Sequence, residues 1–67
     1  MLYVIKRTRD SYYLSFYKED RGEAEFTPLQ SDALQLPENI AKRYSKALNK
    51  LENDVYNVVP ANKSKEI

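Results

Sequence analysis

The apolar residues of this chain recur with two different periods, and the switch between them predicts its elements. Leu2-Tyr3-Val4-Ile5-Lys6-Arg7 is rich in strand formers. Asp10-Ser11 then reads as a turn, because both side chains can hydrogen-bond local backbone. Tyr12 to Tyr17 is the clearest strand, with Tyr12, Leu14 and Phe16 alternating against Tyr13, Ser15 and Tyr17. Lys18 to Gly22 forms a charged loop, and Gly22, the only glycine, is expected at positive φ. Glu23-Ala24-Glu25-Phe26-Thr27 alternates again, with Ala24 and Phe26 facing inward. Glu23 and Glu25 face water, where their charge discourages edge-to-edge pairing. Pro28 closes that strand, since proline cannot donate to a ladder.

Residues 29–36 read as a connection whose Leu29, Leu34 and Leu36 cover one end of the core, with Ser31 or Asp32 placed to cap a turn. The period then becomes helical. Pro37 suits a first helical position and Glu38 favours the positive end of the dipole. Ile40, Tyr44, Ala47, Leu48 and Leu51 mark one apolar stripe, and Asn53-Asp54 ends it. Val55 to Val59 is a last strand, closed by Pro60. The order predicts an α+β fold, βββαβ. A three-stranded antiparallel meander is followed by one helix packed on one sheet face and a fourth strand. That strand can lie beside the first or the third. Residues 1–59 form a single domain in this reading, and residues 60–67, which lack periodicity, form a disordered tail.

Length changes this picture by limiting the core. With 67 residues the domain leaves much of its surface in water. There is no Cys and no His, so disulfides and thiolate or imidazole metal sites are excluded. Stability must come from packing or from self-association, which raises the expectation of a homodimer. The absence of Cys and of any leader-like or membrane-spanning apolar run points to a soluble, cytoplasmic protein with no membrane partner.

The same absences remove most enzyme chemistry. The commonest general base and the thiol nucleophile are missing, and the serines have no histidine partner. Ser45 near Lys42 or Lys46 fits a solvated helix face better than an activated nucleophile, which needs a desolvated base. The carboxylate pairs Glu19/Asp20 and Glu23/Glu25 offer too few convergent oxygens for a hard cation. One glycine cannot build a phosphate-cradling loop. The chain is therefore expected to be non-enzymatic, with no catalytic residue, no metal and no cofactor.

A resemblance completes the reading. The chain resembles small uncharacterised proteins carried by bacteriophages and prophages of Gram-positive bacteria. The residues that carry it are Tyr3-Val4-Ile5-Lys6, Tyr12-Tyr13-Leu14, the segment Ala33 to Leu36 leading into Ala41, and Tyr56-Asn57-Val58-Val59. Residues 28–36 depart from the pattern in their proline and polar spacing. The resemblance implies a phage or prophage product that acts in the host cytoplasm on a host component, and it implies no catalytic residues.

Two surfaces remain as candidates. Tyr3, Tyr13 and Tyr17, with Arg7 nearby, are expected to share the sheet face opposite the helix. Such tyrosines can form cross-strand pairs, meet a protein or a second copy, or stack the bases of a single-stranded nucleic acid. The net charge of +1 and the acidic block at Glu19 to Glu25 disfavour nucleic acid. The second surface is the basic helix face of Lys42, Arg43, Lys46 and Lys50, which is either solvated or turned to an acidic partner. The leading expectation is a small modulator that binds a protein of unidentified sequence through Tyr3, Arg7, Tyr13 and Tyr17. Single-stranded nucleic-acid binding by the same face is the alternative.

Overall fold

Residues 1–61 are described by a computed structural model. The strand-forming segments become β1 (Leu2–Arg7), β2 (Tyr13–Lys18) and β3 (Glu23–Thr27). A 3-10 turn at Gln30–Asp32 leads to a two-residue strand, β4 (Leu36–Pro37), then helix α1 (Glu38–Glu52) and β5 (Tyr56–Pro60). The architecture is α+β, an antiparallel meander with one helix on the sheet and a further strand after it. β5 joins β1 along its length, from Tyr3↔Pro60 to Arg7↔Tyr56. Pro60 thus belongs to a strand and not to a tail. The remainder of the expected tail, 62–67, lies outside the described residues.

β1 has only two edges, and β5 occupies one of them. The other is shared. β2 meets it at Lys6↔Tyr13, and β4 meets it at Tyr3↔Leu36 and Leu2↔Pro37. β2 can leave β1 because one extra residue, Ser15, sits between Leu14↔Phe26 and Phe16↔Glu25. A bulge of this kind bends its strand and adds twist. The gap is filled by the 34–37 segment, with Leu34 N–H donating to Leu14 O at 2.8 Å. The connection expected over 29–36 therefore ends as a strand. No local pattern marks it, because two residues are too few to show a period.

The turns follow the side chains available. Ser11 takes φ 63° in the β1–β2 turn, where its N–H donates to Arg7 O at 2.9 Å. Gly22 sits at φ 67° as its sequence context predicts. Pro37 caps α1 and is not its first residue. Asn53 ends the helix in the left-handed conformation, φ 55°, with its N–H on Asn49 O at 2.8 Å.

Ile5, Leu14, Ala41, Leu48 and Tyr56 form the core, with Ala24, Phe26, Leu34, Leu36 and Tyr44 packed around it. The helix meets the sheet through Tyr44 and Leu48 of the expected stripe, joined by Ala41, which was not in it. Leu51 is 50 % exposed and lies against Gly22, whose absent Cβ would sit 3.7 Å from Leu51 Cδ1. Val4 and Ala33 are buried outside this cluster. Val4 pairs with Val59 on the sheet face away from the helix. Beside them Gln30 Nε2 donates to Ala61 O at 3.3 Å and ties the 3-10 turn to the end of β5. Leu29, expected to cover the core, is 56 % exposed instead.

Candidate functional site

The bulge at Ser15 decides which side chains share a face. Cross-strand partners point the same way, so Leu14 with Phe26 and Tyr17 with Ala24 face the helix. Tyr13 with Thr27 and Phe16 with Glu25 face away from it. Without the extra residue, strict alternation would put Tyr13 and Tyr17 together. In the structure they lie on opposite faces.

The expected tyrosine face is therefore corrected. Tyr17 lies under the helix, its ring edge-on to Tyr44 with centroids 4.7 Å apart. Burial, and after it the Glu19 carboxylate, raises the Tyr17 phenol above its ordinary range. Tyr3 packs against the core cluster, on the same side of β1 as Ile5. Arg7, two residues beyond Ile5, also faces the helix side. Of the four residues expected to line the open face, only Tyr13 is there.

Arg7 is held in a network at the end of the sheet. Its Nε and Nη2 donate to the Asp10 carboxylate at 3.1 and 2.8 Å, and Nη1 lies 3.7 Å from Glu52 Oε1. The guanidinium lies over the Phe26 ring, 4.0 Å from its centroid. Tyr56 stacks on Phe26 at 6.0 Å and donates its hydroxyl to Glu52 Oε1 at 2.7 Å. The hydrogen bond to Asp10 keeps Arg7 protonated beyond its ordinary range, and the same bond lowers the Asp10 carboxyl. Burial, then the Glu52 carboxylate, pushes the Tyr56 phenol up to about 12. The network ties β1, β3, β5 and α1 together, and the Arg7 guanidinium is engaged by Asp10 and Glu52.

On the open face, Phe16 is 40 % exposed in the middle of β2. Tyr13 lies one side of it, with Lys6 Nζ 6.0 Å from the Tyr13 ring centroid. Lys18 lies on the other side, opposite Glu23 across the strands. Ser15 Oγ donates to Glu25 O at 3.1 Å and pins the bulge that presents Phe16. Sequence reading placed Phe16 inward with Leu14, and nothing in residues 12–17 signals the insertion that turns it out.

The basic helix residues are exposed, but they differ in pairing. Lys42 Nζ lies 3.2 Å from Glu38, and Arg43 makes two bonds to the Glu19 carboxylate, at 3.0 and 3.3 Å. Lys46 and Lys50 have no acidic partner among the described residues. Ser45 Oγ donates to Lys42 O at 3.0 Å, a bond within the helix that occupies its hydroxyl. No group of three or more acidic side chains converges on a metal position among the described residues. No helix there is long and apolar enough to cross a membrane.

No protein family matches this chain, and neither does any curated protein or solved structure.

Proposed function

We propose that this chain is a small, non-enzymatic protein-binding domain that uses the open face of its sheet, with Phe16 and Tyr13 as anchors and Lys6 and Lys18 at the rim. The observation that carries the reading is the outward turn of Phe16. A chain with so few core residues leaves a large aromatic ring 40 % exposed in the middle of β2, and a bulge holds it there. Buried aromatic anchors ringed by polar groups are how protein interfaces concentrate binding energy. The resemblance to phage and prophage products supports a modulator acting on a host protein in the cytoplasm.

Affinity capture from a host lysate tests this with Phe16→Glu beside the wild type and Arg9→Ala, an exposed residue outside both surfaces. Phe16→Glu is expected to lose partners that Arg9→Ala retains. Identical captured sets would end the proposal. If the partner is a second copy, sedimentation shows a dimer that Phe16→Glu dissociates. Tyr17→Glu is unsuitable for that test, because Tyr17 packs on the helix.

Single-stranded nucleic acid is the second reading, favoured by lysines placed beside both aromatics. Glu23 and Glu25 on the same face oppose it, because they repel phosphate. A gel shift with an oligonucleotide at low and moderate salt separates the two, since phosphate-driven binding falls steeply with salt.

A further inference from the structure

We infer that the outward face of α1 around Lys46 and Lys50 docks an acidic segment of a partner protein, separately from the sheet face. Lys42 and Arg43 are engaged by Glu38 and Glu19, and Lys46 and Lys50 are not. Among the described residues, the four basic side chains therefore present two uncompensated charges, one helical turn apart. Side chains at that spacing stand about 5–6 Å from one another, a match for carboxylates at i and i+4 of a partner helix.

Two hollows flank Lys46. One, of about 500 Å³, is lined by Asn39, Lys42, Arg43 and Lys46. The other, of about 340 Å³, runs from Ser45 and Lys46 past Lys50 to Val55 and Tyr56. Val55 is 58 % exposed at its edge. Lysine and arginine stems offer apolar walls while their charged ends stay in water. The surface thus combines apolar hollows with unpaired positive charge, and the complementary occupant carries acids beside apolar side chains. Nucleic acid fits less well, because its phosphates offer charge but no aliphatic side chain for the apolar hollows beside Lys46.

An amide-shift titration of the full chain tests the assignment with two probes, a Glu-Ala-Leu-Glu repeat peptide and an oligo-dT strand. The peptide is expected to shift Lys46, Lys50 and Val55 and to lose those shifts in high salt. Lys46→Ala with Lys50→Ala is expected to weaken the peptide about five- to tenfold, and Lys6→Ala with Lys18→Ala to leave it unchanged. The second pair separates this face from the sheet face, so either assignment can fail alone. Shifts absent from the helix, equal binding of both probes, or binding of oligo-dT alone would each overturn the inference.

Discussion

Raising the pH above 10 is expected to destabilise the fold through Tyr56, and Tyr56→Phe is expected to blunt that loss. The phenol has an ordinary value of 10.0 and is held at about 12 in the folded chain. Between those values the unfolded chain releases the proton while the native chain retains it. The unfolded state then binds fewer protons, so stability falls as pH rises. The contribution is complete below pH 10 and lost as the pH climbs through about 12. Each pH unit of displacement corresponds to about 1.4 kcal/mol, so two units set a ceiling of about 2.7 kcal/mol. Because Glu52 remains 36 % exposed, solvent screens part of this, and a loss of about 2 kcal/mol is the working figure. Tyr56→Phe keeps the ring on Phe26 and deletes the hydroxyl bonded to Glu52. At neutral pH it should cost about 1 kcal/mol, the usual net value of one hydrogen bond. Tyr17, whose phenol is also raised by burial, leaves a smaller alkaline slope in the variant. Urea unfolding followed by circular dichroism at a series of pH values measures both effects. Parallel stability curves for wild type and variant between pH 10 and 12 would show that the Tyr56 proton is not held by the fold.

Other perturbations probe the remaining parts of the structure. Leu48→Ala empties a fully buried site and should cost about 2–5 kcal/mol, enough to unfold a domain this small in circular dichroism at room temperature. Gly22→Ala should lower stability by about 1 kcal/mol from backbone conformation alone, since the added Cβ would meet Leu51 Cδ1 at an ordinary 3.7 Å. Ser11→Gly should raise the thermal midpoint slightly, because Ser11 occupies φ 63° at a cost glycine does not bear. Arg43→Ala should change the urea midpoint by no more than about 1 kcal/mol equivalent, as its ion pair with Glu19 is exposed.

All elements but β4 were legible because each has a period or a breaker of its own. The alternation of Glu23 to Thr27 and the proline after it define β3, and Asn53 marks the end of α1. The helix stripe was read correctly at Tyr44 and Leu48 but took Leu51 and missed Ala41, because leucine outranks alanine in hydrophobicity. Ala41 is nevertheless the residue whose small side chain lets the helix approach the sheet. The β4 pairing was hidden because it depends on a gap that β2 leaves when it bends away from β1.

The surface was less legible than the fold, and the reason is parity. A strand pattern identifies two sets of side chains, and a single inserted residue exchanges their directions from that point onward. Ser15 is such an insertion, and its effect reaches only the residues after it. Tyr13 keeps the direction that alternation gives it, whereas Phe16 and Tyr17 exchange theirs. The exchange serves both halves of the molecule. Tyr17 reaches Tyr44 and extends a small core, while Phe16, which the core cannot cover, is delivered to the outer face beside Tyr13. The bend that comes with the insertion also opens the edge of β1 to β4, which fixes the start of the helix. Core extension, helix placement and an exposed aromatic centre therefore share one cause. Any change that irons out the bulge should disturb packing and the proposed binding together, and a change to Phe16 alone should disturb only the proposed binding.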